Sequence, residues 1–231
     1  MLNKGDFHIH SNASDGDLSP REIIIEAKQR EVDIIAISDH NTTAGIKEAA
    51  EAGRQYGLSV VPAVEVSSRY KNKKVHILGY FRDNQYNDST FQEILKLIKT
   101  REAKKARNIL GDFKYTDTTE KYLSVPEVIH LLKAYGAAIV LAHPVRIEQE
   151  YISEILNFPF DGIEAKYCSN SLLDSFYFMT AAMSRFSFYT AGSDFHTNKR
   201  KDDKHSLIGN PYLDKEEIEI FLNKSGAMLL S

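Results

Sequence analysis

Residues 7–16 read Phe-His-Ile-His-Ser-Asn-Ala-Ser-Asp-Gly and join a predicted strand to a polar loop. The strand, Asp6 to His10, is a short apolar run that carries two histidines separated by one residue. Because side chains on one face of a strand recur every second residue, the imidazoles of His8 and His10 lie on the same face. Two imidazoles in that arrangement can hold one metal ion. This stretch therefore predicts both a strand and the chemistry at its end.

Further runs of strand length, rich in β-branched and aromatic residues, follow along the chain. They are Asp33 to Ser38, Ser59 to Glu65, Lys74 to Tyr80, Ala137 to Ala142, Gly162 to Ala165 and Ser187 to Ala191. Most do not alternate between apolar and polar residues, which favours a parallel sheet with both faces buried.

Helices are predicted between these strands, two of them opened by capping boxes at Ser19 and Ser124. The segments are Ser19 to Arg30, Thr42 or Thr43 to Gly57, Thr90 to Leu110, Ser124 to Gly136, Glu148 to Asn157, Ser171 to Arg185 and Lys215 to Asn223. Alternating strands and helices indicate an α/β protein, and seven such units favour a closed barrel over an open sheet. One domain over residues 1–231 is expected, with a small helical insertion at about residues 84–122.

Composition limits the functional classes. The 231 residues are 42% hydrophobic and 26% charged with a net charge of −3, which excludes disordered and collagen-like chains and disfavours a nucleic-acid coat protein. The single Cys168 cannot form an internal disulfide, and no apolar run approaches the ~20 residues that cross a bilayer. With no signal peptide in view, we expect a cytoplasmic protein that does not bind membranes.

Histidines and acidic residues lie at or near the ends of nearly all predicted strands. They are His8 and His10, Asp39 and His40, Glu65, His76, His143, and Asp194 and His196. In a barrel of this kind the carboxyl ends of the strands form the active site. Imidazole together with carboxylate suits zinc, manganese or iron, whereas a calcium site would use oxygen ligands alone.

The motifs F-H-I-H-S-N-A-S-D-G, A-I-S-D-H, V-E-V-S, V-H-I-L-G-Y, L-A-H-P and A-G-S-D-F-H occur in this order. Together they resemble the PHP (polymerase and histidinol phosphatase) family of metal-dependent phosphoesterases. The resemblance covers most of the chain apart from the insertion and about the last 20 residues, and implies a distorted seven-stranded (β/α) barrel with up to three divalent ions.

The resemblance also implies the ligand sets. His8, His10, Glu65 and Asp194 would hold the first ion; Glu65 would bridge to a second ion, completed by His76 and His143; and Asp15, His40 and His196 would hold the third. The nearest branch resembles nucleoside 3′,5′-bisphosphate phosphatases. Asn41 stands where that branch commonly has Asp, and the insertion is much shorter here, so the substrate of that branch is not carried over.

The expected reaction is hydrolysis of a phosphate monoester by attack of a metal-bound hydroxide. Cations would hold the phosphate oxygens, and the candidates are Arg146, Arg101, Lys105, Lys199 and His205. Asp39 is expected to orient a ligand rather than to act as the acid.

Two alternatives remain open at this point. A nuclease or oligonucleotide exonuclease could use the same ions, and the basic segment Lys99 to Arg107 favours it. A noncatalytic metal-binding scaffold is the other, although such modules lose ligands and the set here is complete. The expected partner is therefore a small phosphorylated substrate, with nucleic acid entering only as a substrate. The sequence sets neither the metal nor the oligomeric state.

Overall fold

A computed structural model describes residues 2–111, 119–199 and 205–230. Its strands are β1 (Lys4–Ile9), β2 (Ile34–Ile37), β3 (Ser59–Tyr70), β4 (Lys73–Phe81), β5 (Ala137–Leu141), β6 (Gly162–Tyr167), β7 (Phe188–Gly192) and β8 (Leu213–Asp214). The helices are α1 (Pro20–Gln29), α2 (Ile46–Tyr56), α3 (Ser89–Lys99), α4 (Ala103–Leu110), α5 (Val125–Ala134), α6 (Gln149–Ile155), α7 (Leu172–Arg185) and α8 (Lys215–Ser225). Each of the seven predicted strands is present, and the fold is the expected distorted α/β barrel.

The strands form one strongly curved sheet in the order β7-β6-β5-β4-β3-β2-β1-β8. The curvature brings the end of β7 against β1, where Ile9 bridges Phe195 and the His10 amide donates to the Phe195 carbonyl at 2.9 Å. The short β8 pairs antiparallel with the start of β1. The sheet is therefore nearly closed, and the ends of β1, β2, β5 and β7 meet at one rim. Glu65 of β3 lies at the same level, and β3 continues past it to Tyr70.

The expectation of parallel neighbours is wrong for β4, which runs antiparallel to both β3 and β5. A two-residue turn, Lys71 and Asn72, joins β3 to β4, and both turn residues have positive φ, as a tight hairpin requires. No helix therefore separates these two strands. Because β4 is reversed, its first residues and not its last lie at the rim, so His76 faces the same region as the ends of the parallel strands.

Two helix predictions need correction. The segment predicted as one helix from Thr90 to Leu110 is divided into α3 and α4, because Arg101 takes a left-handed conformation with φ 63° and ends the first helix. The break lets Ala103 and Ala106 of α4 reach the core. Helix α2 begins at Ile46 behind Gly45, and Thr43 instead donates to the Tyr86 carbonyl at 2.9 Å. Part of the predicted insertion, residues 112–118, lies outside the described residues.

The predicted capping boxes of α1 and α5 are both formed, at Ser19 with Glu22 and at Ser124 with Glu127. Burial of apolar side chains between strands and helices provides the main driving force for this packing. Around α8, for example, Phe7 lies 4.4 Å from Phe221 and Tyr80 lies 5.1 Å from it, ring centre to ring centre. Among the described residues, no helix is both long and apolar enough to cross a bilayer.

Candidate metal centre

Six histidines and three acidic residues predicted as ligands converge at the rim of the barrel. The structure brings together His8, His10, Asp15, His40, Glu65, His76, His143, Asp194 and His196. Their ligand atoms fall into overlapping groups within 4.8 Å: His8, His10 and Asp194; His40, Glu65 and His76; and His10, Asp15, His40 and His196. The side chains come from separate strands and loops, so only the closed fold assembles them.

Glu65, on β3, is the central carboxylate. Its Oε1 lies 2.9 Å from Nδ1 of His76 and 2.9 Å from Nε2 of His143. Its Oε2 lies 2.8 Å from Nδ1 of His40 and 3.3 Å from Nε2 of His10. A buried carboxylate with imidazoles at both oxygens has the arrangement of a bridging ligand between two ions.

Asp194 approaches the other side of the histidine pair on β1. Its Oδ1 lies 3.1 Å from Nε2 of His10 and 3.4 Å from Nε2 of His8. These two Nε2 atoms are themselves 3.1 Å apart. The three side chains are almost fully buried, so their ligand atoms are directed at one another and not at solvent.

Asp15 lies on the loop after β1, and its side chain is 53% exposed. Its carboxylate oxygens lie 3.4 Å from Nε2 of His196 and 3.8 Å from Nε2 of His40. Asp39 fixes this loop, because its carboxylate accepts hydrogen bonds from the Ser11 amide, the Ser11 hydroxyl and the Ser14 hydroxyl at 2.6–2.7 Å. The Asp39 carboxylate thus holds in place the loop that carries the predicted ligand Asp15.

The cluster is poorly satisfied by protein contacts alone. Nδ1 of His10, Nδ1 of His40, Nε2 of His76 and Oε2 of Glu65 are buried and lack a hydrogen bond of acceptable geometry. Buried polar atoms without partners cost free energy. Divalent ions would supply the missing partners, so the donor set fits the metal chemistry expected from the sequence.

Burial and mutual charge shift the pKa values within the cluster. Burial lowers the pKa of His10, but the carboxylates of Asp194 and Glu65 outweigh it and raise that pKa to about 9. Burial also lowers the pKa of His8, but the nearby carboxylates of Glu164, Glu65 and Asp194 outweigh this effect and raise that pKa well above its usual value. For His76 burial dominates and lowers the pKa to about 3.

The two buried carboxylates shift the other way. Burial raises the pKa of Glu65, but His76, His40 and His8 together hold it well below the usual range. His8 and His10 do the same for the pKa of Asp194 against the opposing effect of burial. Both groups are therefore carboxylates at neutral pH, the form that binds metal.

Three residues at the rim have left-handed backbones: Asn41 (φ 52°), His143 (φ 28°) and Asp194 (φ 51°). This conformation is uncommon for residues other than glycine and tends to occur at functional sites. Asn41 follows the predicted ligand His40, whereas His143 and Asp194 are themselves predicted ligands. The chain turns sharply at these positions, and the turn directs the ligand side chain into the cluster.

Sequence reasoning missed two residues that support the ligands. Glu164, on β6, accepts a hydrogen bond from Nδ1 of His8 at 2.9 Å and from the His143 amide at 2.7 Å. Tyr167 donates its hydroxyl to Oδ2 of Asp194 at 2.7 Å. The position of Glu164 inside the apolar run Gly162 to Ala165 could have identified it, because a carboxylate buried in a strand needs a polar partner.

Of the predicted substrate-binding residues, Arg146 lies directly at the cluster. Its Nη1 is 3.1 Å from Oδ2 of Asp194, and it lines a cavity of about 440 Å³ together with Lys74, His76 and His143. His205 is also at the rim, with Nε2 3.8 Å from Oδ2 of Asp194. Both side chains therefore lie beside the predicted ligand Asp194.

The other three predicted residues lie differently. Lys199 pairs with Asp17 at 3.4 Å beside Asp15 and His196, at the edge of the site. Lys105 pairs with Glu102 on the exposed side of α4, and within the described part of the chain no ion pair or hydrogen bond joins it to the cluster. Arg101 lines a separate cavity that adjoins the site through Asn41.

Comparison with known proteins gives matches over most of the chain. The profile of the family described as PHP domain matches residues 6–158. A 5′-3′ exoribonuclease of Haemophilus influenzae is 25% identical, over 85% of this chain and 91% of its own. A 3′,5′-nucleoside bisphosphate phosphatase of Chromobacterium violaceum is 28% identical, over 83% of this chain and 86% of its own. A solved structure from Bifidobacterium adolescentis shares the fold with a TM-score of 0.74, at 21% identity over 96% of each chain.

Proposed function

Because the chain belongs to the PHP domain family, we propose that it is a metal-dependent phosphoesterase that hydrolyses a small phosphorylated substrate at the rim of the barrel. The observation that carries the proposal is the buried cluster around Glu65, in which one oxygen of Glu65 and one ring nitrogen each of His10, His40 and His76 are buried without a hydrogen bond. The relatives that act on a nucleoside bisphosphate and on RNA support phosphate-ester hydrolysis as the reaction.

The residues that would hold the ions are those whose ligand atoms converge. His8, His10, Glu65 and Asp194 would hold one ion, Glu65 with His76 and His143 a second, and Asp15, His40 and His196 a third. Manganese, iron and zinc all suit these ligands. Divalent ions bound there would lower the pKa of a coordinated water and neutralise charge on the phosphate oxygens.

The side chains around the cluster have separate tasks. Glu164 accepts from Nδ1 of His8 and so directs Nε2 of that imidazole into the cluster. Tyr167 and Arg146 both contact Oδ2 of Asp194, which leaves Oδ1 facing the histidines. The Arg146 guanidinium retains further N–H donors beside the cavity, and these would bind phosphate oxygens.

A small substrate is favoured over a nucleic-acid strand because the three cations on α4, the second half of the basic segment, are paired. Lys104, Lys105 and Arg107 of α4 each pair with a glutamate: Glu120, Glu102 and Glu127 respectively. A helix whose charges are already neutralised contributes little to phosphate-backbone binding. The nuclease remains the second candidate because one relative is an exoribonuclease. Cys168 as the only cysteine supports a reducing compartment, the cytoplasm, as the location.

The test is hydrolysis by the full chain after loading with manganese, iron or zinc. The substrates are phosphomonoesters, nucleoside bisphosphates and short oligonucleotides. The wild type is compared with Asp194→Asn and with Glu219→Gln, which changes an exposed carboxylate on α8 and serves as the matched control. We expect turnover by the wild type and the control and a loss of at least about a hundredfold in Asp194→Asn. Equal turnover by Asp194→Asn would refute the proposal, and cleavage of oligonucleotides alone would favour the nuclease.

A further inference from the structure

Helix α7 is apolar on its outward side as well as on the side that packs against the barrel. Phe178 and Ala182 are buried in the core, as the inner side of a surface helix should be. The outer side of such a helix is usually polar, yet five large apolar side chains are exposed there. They are Leu172 (92% exposed), Leu173 (80%), Phe176 (67%), Tyr177 (54%) and Met183 (84%). A helix that is apolar all round is normally covered on every side.

The exposed residues form one continuous stripe, which we name the α7 face. It consists of Leu172, Leu173, Phe176, Tyr177, Thr180, Met183 and Ser184. At 3.6 residues per turn, these positions fall within an arc of about 140°. Residues 173, 176, 180 and 183 follow one another at steps of three, four and three, which is the spacing of the seam between two packed helices. The stripe therefore has the pattern of a surface that packs against another helix.

The α7 face carries no charge. The two charged residues of the helix lie outside it: Asp174 belongs to the capping box, and Arg185 donates to Oδ1 of Asn157 at 3.3 Å. Thr180 and Ser184 turn their hydroxyl protons to main-chain carbonyls of the preceding turn, at 2.8 and 3.2 Å. Lipid headgroups and nucleic acid select cationic faces, so the partner that fits this stripe is an apolar protein surface.

The apolar surface continues past Tyr177 into a groove between α7 and α6. The groove has a volume of about 460 Å³, and Val145, Ile147 and Ile152 form much of its wall together with Tyr177 and Phe178. A partner helix would thus find both a stripe to pack against and an apolar groove beside it.

The area of the α7 face suits a dimer. With about 150–250 Å² for a full large side chain, the five exposed apolar residues leave roughly 700 Å² in water. The largest apolar patch of a typical monomer is about 300–600 Å². Stable protein interfaces bury about 800 Å² per partner. Two α7 faces with their grooves therefore supply the area of one standard interface.

The stripe is also complementary to itself. When two α7 helices run antiparallel about a two-fold axis, Leu173 lies opposite the partner's Met183. In the same register the ring of Phe176 lies opposite the small side chain of the partner's Thr180. Each of these contacts occurs twice, because the axis relates the two copies. Isologous pairs of this kind are the commonest soluble oligomers, so a second copy of the chain is the occupant that the stripe favours.

We propose that the α7 face is the interface of a homodimer, in which the α7 helices of two copies pack antiparallel about a two-fold axis. The inference is independent of the proposed function, because none of the predicted metal ligands belongs to the α7 face.

Sedimentation equilibrium of the full chain over about 1–100 µM tests the proposal. We expect a species of twice the 26.2 kDa of one chain. Phe176→Glu and, independently, Met183→Glu place a charge in the seam, and each should weaken the dimer about thirtyfold or more. Ile220→Glu places the same charge at an exposed apolar position of α8 and should leave the dissociation constant within about twofold of the wild type.

Far-UV circular dichroism checks that the variants are folded, as expected for substitutions of mostly exposed side chains. Dissociation of both seam variants but not of Ile220→Glu would uphold the inference. A wild type that stays monomeric at about 100 µM would overturn it. A dimer of wild-type affinity in both seam variants would overturn it as well, because its interface would then lie elsewhere. Flotation of a monomeric wild type with phosphatidylcholine vesicles would assign the α7 face to a lipid surface and would also overturn it.

A mixture of two charged variants tests the antiparallel arrangement. Phe176→Lys and Thr180→Glu should each dimerise poorly alone, whereas the mixture should form a heterodimer, because positions 176 and 180 face each other across the two-fold axis. In a parallel pair each position would instead face its own copy. Failure of the mixture to associate more tightly than either variant alone would overturn the antiparallel packing.

Discussion

Glu164 connects two predicted ligands that lie on different strands. One of its oxygens accepts from the His8 imidazole and the other from the His143 amide, so a single buried carboxylate sets the orientation of both. Such supporting partners fix the imidazole tautomer and raise its basicity toward the metal.

Replacing this carboxylate tests its role. Glu164→Gln keeps the shape of the side chain but presents an amide where the His8 Nδ1–H needs a full acceptor. We expect metal binding to weaken about tenfold to a hundredfold while the fold persists. Metal titration followed by atomic absorption measures the change, with Glu219→Gln as the control. Unchanged affinity would show that Glu164 is only a core residue.

The raised pKa values of His8 and His10 predict proton release on metal binding. His10, with a pKa of about 9, is protonated at pH 7 in the metal-free cluster, and the raised pKa of His8 favours its protonated form too, whereas a metal binds neutral imidazole. At pH 7 metal uptake should therefore release at least one proton, and apparent affinity should fall as the pH falls.

Calorimetry of metal binding in buffers with different ionisation enthalpies counts the protons. Glu65 and Asp194 contribute none, because their pKa values lie well below neutrality in the folded protein. A count of zero at pH 7 would mean that these histidines are already neutral without metal.

Most of the predicted metal ligands could be identified from the sequence alone, because each is recognisable by its own position. A histidine or aspartate at the end of an apolar run is visible in the sequence, as at His8 and Asp194. Glu164 and Tyr167 were missed because their function depends on which strand becomes the neighbour of which. Arg101 was predicted as a substrate-binding residue and Arg69 was not, because the two arginines meet only in the folded chain, at the ring of Tyr122.

At the scale of elements, the reversal of β4 determines how the second ion would be held. If β4 ran parallel to β3, its last residues would lie at the rim, and His76, which is near the start of β4, would lie away from it. The antiparallel direction pairs Ser67 with His76 and brings the imidazole to 2.9 Å from Glu65. Strand direction depends on the length of the connection, and a turn of two residues after a 12-residue strand allows only a hairpin.

The close approach of β7 to β1 depends on Gly192. A Cβ built at this position would lie 2.2 Å from the His8 Cβ and 2.3 Å from Oε1 of Glu164, well inside contact distance. Gly192→Ala should therefore separate the two strands, destabilise the protein by about 1–3 kcal/mol and disturb the His8–Glu164 hydrogen bond.

Urea unfolding and metal content together measure this effect. We expect a lower unfolding midpoint and a reduced metal content in Gly192→Ala. Wild-type values for both would show that β7 shifts without strain, and that the closure of the barrel does not require glycine there.

At the scale of the whole molecule, the distribution of charge matters more than its total. The net charge is −3, yet up to three divalent ions would add a concentrated positive charge at one rim of the barrel. Arg69, Lys74, Lys99 and Arg101 extend positive charge toward the β3–β4 hairpin. A mildly acidic protein would then present a strongly positive site to a phosphorylated substrate.

A metal titration of activity decides whether hydrolysis depends on ions bound at the rim of the barrel. The full chain is stripped with chelator, dialysed and returned to manganese, iron or zinc in known equivalents, and phosphate release is followed at each step. We expect negligible turnover without metal and a rise that saturates at two to three equivalents, as the ligand sets imply. Full turnover by the stripped protein, or no turnover at any equivalence with any phosphate ester, would contradict it.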